Sequence, residues 1–231
     1  GIQWVNTSKF GIIRDPYLYA ILADEERVND TRIGVPKYIG GYDDSGFYFP
    51  SLTEIQSGKW NKTTDWEKEV LRPAMIQNHN VSVTGGGKAN AYMLSVSYFD
   101  QDGTLIGSDY QSFSTRFKFD QNIGDKLKVG TNMAISYIER DPAKISYSAL
   151  YRNPVFPVYD TDGSYYKIDP TDMSNPVMLA NELKNESTEY DIYTMAYLNW
   201  NILDGLTLKA QSGMKIGASI ADKYYPRTTE S

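Results

Sequence analysis

Few residues of this 231-residue chain have types and spacing that could do chemistry. One His and no Cys exclude a multi-histidine zinc site, a thiolate metal site, a Cys nucleophile and a disulfide framework. His79 lies in phase with Val81 and Val83 and reads as a strand-end interface residue, not as a base or ligand. Asp160, Asp162 and Asp169 around Gly163 form a loose calcium-loop pattern. The EF-hand spacing is not met and no Glu closes it, so a solvated loop accounts for them. Asp100 and Asp102 before Gly103 read as a hairpin tip, since Asp and Gly supply turn geometry. Carboxylate pairs suited to glycoside hydrolysis can be drawn from many places among 29 Asp and Glu, and no spacing isolates one. Gly85-Gly86-Gly87-Lys88 lacks the Lys-Ser/Thr ending of a phosphate loop and opens no helix, so it reads as a tight turn. The expectation is no catalytic residue, no metal and no cofactor.

The aromatic residues carry more information: 19 Tyr, 8 Phe and 4 Trp. Tyr147, Tyr151, Phe156, Tyr159, Tyr165 and Tyr166 crowd one segment. Aromatic faces stack on sugar rings and bind peptides, and they also pack on one another inside loops. The candidates for substrate or partner contact are Tyr38, Tyr42, Tyr151, Tyr159, Tyr165 and Tyr166, with Arg116 as a candidate from the polar side of a strand.

Charge and hydropathy narrow the class. A net charge of −6 argues against a nucleic-acid binder, which needs a basic face. The longest uninterrupted apolar run, residues 17–23, is too short for a membrane-spanning helix. No basic segment followed by an apolar one opens the chain, so no signal peptide is visible. A hydrophobic content of 41% suffices for a core or for one apolar sheet face.

These residues must be positioned by two unlike regions. Residues 1–75 are mixed and turn-rich. Residues 1–13 could hold a first strand. Asp15-Pro16 reads as an N-cap followed by proline at the first helical position, predicting a helix over 17–28. Ser51 to Glu54 is a capping-box pattern with Gly58 as a C-terminal cap, and Thr64 to Glu67 repeats the box. From residue 76 the period changes to two. Residues 91–99, 110–121, 127–138, 190–202 and 206–216 each alternate apolar and polar positions, giving strands with one apolar face. The connections alternate as well: tight at 85–88, longer at 100–109, tight at 124–125, very long at 140–189, and two residues at Asp204-Gly205. The regions are therefore 1–75, a strand meander over 76–139, a long loop over 140–189, and a further hairpin with the start of another loop over 190–231. In the long loop, Asn175-Pro176 predicts a short helical turn that docks the loop back on the rim.

Alternation of short and long connections, with strands of about ten residues, is the pattern of an up-and-down transmembrane barrel. Aromatic strand tips suit a headgroup belt, and Arg116, Lys118, Lys128, Lys209 and Lys215 suit a wet or plugged lumen. A soluble sandwich or barrel also alternates, so pattern alone leaves a soluble extracellular β-rich carbohydrate-binding module open, with a secreted glycosidase as a further reading.

The motif order adds a resemblance. Thr64-Asp65-Trp66-Glu67 leads to Gln77-Asn78-His79-Asn80-Val81-Ser82-Val83-Thr84-Gly85-Gly86. Then come Tyr98-Phe99-Asp100-Gln101-Asp102-Gly103 and Leu127-Lys128-Val129-Gly130-Thr131-Asn132. Farther on stand Pro157-Val158-Tyr159-Asp160, Asp162-Gly163-Ser164-Tyr165-Tyr166, Asn175-Pro176 and Gly205-Leu206-Thr207-Leu208-Lys209. This succession resembles the SusC/RagA family of TonB-linked outer-membrane transporters from about residue 64 to 217. The resemblance implies an all-β membrane protein: an antiparallel segment of a large plugged barrel of about 22 strands, with short helices in extracellular loops. It implies an internal piece of a longer chain, without the plug and the TonB-contacting segment. It implies no enzyme activity, a SusD-like surface lipoprotein and TonB as partners, a glycan or oligopeptide as substrate, outer-membrane lipid as solvent, and a Gram-negative, Bacteroidetes-type outer membrane as location.

Overall fold

The computed structural model describes residues 13–44, 46–145, 149–150, 152–166 and 175–225. Most of the expected first strand, residues 1–12, lies outside the described residues.

The turn-rich part begins with α1 (Pro16–Asn29), whose N-cap Asp15 accepts from the Leu18 N–H at 2.8 Å, with proline in its first turn. A two-stranded hairpin follows, β1 (Gly41–Tyr42) against β2 (Tyr48–Phe49). Next is α2 (Leu52–Gln56), where Ser51 and Glu54 form the complete capping box. The box expected at Thr64 to Glu67 does not form. In α3 (Trp66–Val70), Asp65 takes the N-cap position and makes no side-chain cap bond. Its carboxylate faces Lys68 at 3.3 Å and Arg14 at 3.7 Å, while the Thr64 N–H donates to the Pro154 carbonyl at 2.9 Å. A long-range backbone bond and two cations have displaced the local cap.

The second part is a six-stranded antiparallel sheet in simple chain order: β3 (Ile76–Gly86), β4 (Asn90–Asp102), β5 (Asp109–Ile123), β6 (Leu127–Asp141), β7 (Lys184–Leu203) and β8 (Leu206–Tyr224). The tight connections at 87–89, 124–126 and 204–205 share one end, and those at 103–108 and 142–183 share the other. The last turn carries one left-handed residue, Gly205 at φ 84°, beside a register shift between Asn201 and Leu203.

Register shows what alternation does across the sheet. Directly paired residues share a face. One row runs Val81, Val96, Thr115, Ile135, Ile192, Ile216, and the next runs Val83, Leu94, Phe117, Met133, Thr194, Met214. Tyr92, Phe113, Val129, Leu198 and Leu208 fall on the same face. The opposite face carries Ser95, Arg116, Ala134, Tyr193 and Lys215 in one row.

No residue of β3–β8 belongs to the buried core. Val81, Val83, Ile135 and Ile216 are 69, 56, 45 and 54% exposed, and nothing among the described residues covers them. The core instead lies wholly in the loop layer: Tyr19, Tyr38, Phe49, Trp66, Val70, Phe156 and Val177 are among its members. The long connection folds into that layer. Trp60 Nε1 donates to the Val155 carbonyl at 2.7 Å and Trp66 Nε1 to the Asn153 carbonyl at 2.9 Å. α4 (Pro176–Glu182) is capped by Asn175, which accepts from the Val177 N–H and donates to the Val158 carbonyl at 2.7 Å. The helix rests on the 103–108 turn, where Gly107 at φ 67° leaves a Cβ no room against Ala180.

Two boundaries differ from expectation. β6 runs on to Asp141 and β7 begins at Lys184, so the long connection is 142–183 and not 140–189. β8 continues to Tyr224, beyond 216. Residues 184–189 are polar on both faces, so no period announced them.

Candidate functional site

Two surfaces hold the candidate residues. The first is in the loop layer. Tyr42 is 76% exposed and meets Tyr48 edge-on at 5.2 Å between ring centroids, and Tyr48 lies 5.8 Å from Trp60. Lys62 Nζ sits 5.8 Å from the Trp60 ring and 3.9 Å from an Asp160 oxygen. Beyond Asp160, Tyr159 and Tyr165 stack at 5.2 Å, with Tyr159 48% exposed. Tyr166 stacks on Phe156 at 5.5 Å and is half-buried. Burial, then Asp160, pushes the Tyr166 phenol up.

The positioning is local. The Tyr48 hydroxyl donates to both Glu54 oxygens at 3.0 Å. The Ser51 N–H, then its hydroxyl, then Tyr48 hold the Glu54 carboxyl down to about 2, and the same bond raises the Tyr48 phenol. A capping box thus fixes one ring of the aromatic line.

The expected contact residues divide. Tyr42, Tyr159, Tyr165 and Tyr166 come together on this layer. Tyr38 does not belong with them: it is 2% exposed, its hydroxyl accepts from Asn153 at 2.7 Å, and its ring meets Phe49 at 5.7 Å, so it offers a ligand no surface. Tyr151 lies outside the described residues. Tyr48, Trp60 and Lys62 were missed in the sequence. The only signal was aromatic density near the capping box, because their neighbours come from distant segments.

The second surface is the polar face of the sheet, where Arg116 stands. It is exposed and forms no ion pair or hydrogen bond among the described residues. Of the other cations there, Lys118, Lys128 and Lys215 are matched. Tyr197 donates to Asp120 at 2.6 Å, Lys128 and Lys118 flank that carboxylate at 3.6 and 3.9 Å, and Lys215 pairs with Asp191 at 3.1 Å. Among the described residues no group of three His, Cys, Asp or Glu side chains could hold a metal. Among the described residues, neither surface pairs a nucleophile with a base.

Comparison with known proteins agrees with this geometry. No protein-family model matches the chain. A TonB-dependent receptor of Formosa agariphila is 31% identical over 141 residues, 59% of this chain and 14% of that receptor. A second receptor of the same organism is 28% identical over 178 residues, 71% of this chain and 18% of its own. The TonB-dependent receptor SusC of Bacteroides thetaiotaomicron is 30% identical over 111 residues, 47% of this chain and 10% of SusC. Among solved structures, the RagAB peptide importer in its closed-closed state superposes with a TM-score of 0.57 at 26% identity, and the RagAB peptide transporter with 0.58 at 25%. Each covers 69% of this chain and 19% of the matched chain. The chain therefore spans 10–18% of the length of these curated relatives. It is similar to a stretch of SusC/RagA-like TonB-dependent transporters, and its antiparallel sheet is similar to part of RagAB.

Proposed function

We propose that this chain forms part of the wall and mouth of a TonB-dependent outer-membrane importer. The apolar face meets lipid, the polar face meets the lumen, the short turns are periplasmic and the loop layer lies outside. The importer moves glycans or oligopeptides inward, with a SusD-like lipoprotein over the mouth and force delivered by TonB. The membrane is a Bacteroidetes-type outer membrane. Tyr42, Tyr159, Tyr165 and Tyr166 are the proposed contacts for substrate or lipoprotein, and Arg116 faces the passage.

One observation carries the reading. On β7 the apolar face runs from Trp200 through Leu198, Ala196, Thr194 and Ile192 to Tyr190. Ten residues span roughly 33 Å along a strand, which a tilt near 40° reduces to about 25 Å of height. That is the height of the apolar band of outer-membrane barrels, with aromatics at both rims. Beyond the row His79, Tyr98, Phe113, Tyr137, Tyr190, the same face turns acidic at Asp100, Glu139, Asp141 and Glu186. A soluble sheet of this width needs a second layer over its apolar side.

Deleting residues 159–172 from the full-length protein tests the mouth assignment. Outer-membrane assembly should persist, because none of β3–β8 is touched, while nutrient uptake or lipoprotein retention falls. Normal uptake with normal retention contradicts the assignment.

A further inference from the structure

We infer that Arg116 anchors a carboxylate-binding subsite on the polar face, so that the solute passing this wall carries carboxylate groups. The inference rests on the import reading and names the chemistry of its cargo. Its elements are one row of the sheet: Ser95, Arg116, Ala134, Tyr193 and Lys215, each paired directly with the next. Arg116 and Tyr193 stand two strands apart, roughly 10 Å between backbones. Ala134 lies between them and sends up only a methyl group. The register thus sets a guanidinium on one side of that methyl group, a phenol on the other and the Ser95 hydroxyl beside the guanidinium.

Each side retains unused bonding capacity. Arg116 has no partner among the described residues. The Tyr193 hydroxyl reaches only the Met195 sulfur at 3.6 Å, a weak acceptor. Lys118 lies two residues along the same strand face and shares Asp120 with Lys128. From the short-turn end up to the Arg116 row this face presents Arg116, Lys118, Lys128, Lys209 and Lys215, with Asp120 as the carboxylate inside that stretch and Asp191 in the next row. An acidic chain thus exposes a locally cationic floor. The acidic rim does not cancel it, because Asp100, Asp109, Glu139 and Asp141 are in phase with Phe113 and Tyr137 and lie on the opposite face from Arg116.

The fork of a guanidinium matches the two oxygens of a carboxylate, and a phenol opposite adds a donor. A neutral sugar or an amidated peptide offers the fork less. The carboxylate has two sources, a uronate-containing oligosaccharide and an acidic oligopeptide, and binding separates them.

The experiment uses the purified full-length transporter in detergent. Four probes are titrated: an oligogalacturonate, its carboxyl-reduced form, an Asp-rich oligopeptide and the corresponding Asn-rich peptide. The expected result is tighter binding of one acidic probe than of its neutral twin, weakened by salt. Arg116→Ala and Arg116→Gln should weaken that acidic probe roughly tenfold and leave the neutral twin unchanged. Should Arg116→Ala not assemble, Arg116→Lys keeps the charge, loses the fork, and is expected to fall between. Equal affinity for acidic and neutral twins, or equal loss of both in the variants, overturns the subsite. The import reading fails separately, if cells lacking the full-length protein take up every nutrient normally, because binding to purified protein does not require transport.

Discussion

Tyr197 lies flat across Gly130 on the neighbouring strand and donates its hydroxyl to Asp120 one strand further, at 2.6 Å. A Cβ on Gly130 would stand 2.5 Å from the Tyr197 ring and 2.6 Å from Asp120 Oδ1. The missing side chain is therefore a seat for the ring, and the ring ties β5, β6 and β7 together. Gly130→Ala should destabilise the assembled barrel by roughly 1–3 kcal/mol through overpacking. Tyr197→Ala removes the clashing ring, so the double variant should lose less than the sum of the singles. Urea unfolding of the full-length protein, followed by its heat-modifiable mobility, measures both. Strict additivity would remove the seat from the account.

On the proposed reading, loop length puts the short turns in the periplasm and the loop layer outside. The chain has no Cys, so single Cys substitutions report cleanly. Asp162→Cys should react with an impermeant maleimide on intact cells, and Lys88→Cys should not. The reverse pattern inverts the topology.

The Glu54 carboxyl is held down to about 2, first by the Ser51 N–H, then by the Ser51 and Tyr48 hydroxyls. Its folded value lies below its free value of 4.5, so its stabilising effect is complete above about 4.5 and is lost as pH falls through about 2. The hydrogen-exchange protection factor at the Ser51–Glu54 turn, the observed rate taken against the intrinsic rate at each pH, should fall as pH drops across that window. In Glu54→Gln that fall should vanish, because the side chain no longer titrates. A protection factor that does not change with pH in the unsubstituted protein contradicts the capping network.

What the sequence disclosed follows from which forces are local. Period two placed β4, β5, β6 and the middle of β7 because one face of each is apolar and the other polar along most of its length, and Asp15-Pro16 and Ser51–Glu54 placed helix starts because capping is settled within four residues. Alternation fails where both faces are polar, which hid 184–189, and where small residues such as Gly217, Ala218, Ser219 and Ala221 blur the contrast, which hid 217–224. Thr64 misled because its N–H is taken by Pro154, a partner 90 positions away. The candidate site shows the same division. Tyr42, Tyr159, Tyr165 and Tyr166 were visible as aromatic density, while Tyr38 became core through Phe49 and Asn153, contacts that no spacing encodes.

The central claim is that one face of this sheet meets hydrocarbon and the other does not, and adjacent residues on β6 test it most directly. Ile135 belongs to the middle of the apolar rows, and Ser136, its neighbour in sequence, faces the opposite side. In the full-length protein, Ile135→Arg should cost roughly 2–4 kcal/mol at the membrane midplane and abolish or slow heat-modifiable barrel assembly. Ser136→Arg should assemble at the normal level. If Ile135→Arg assembles as well as Ser136→Arg, the apolar face does not lie in lipid and the account is wrong.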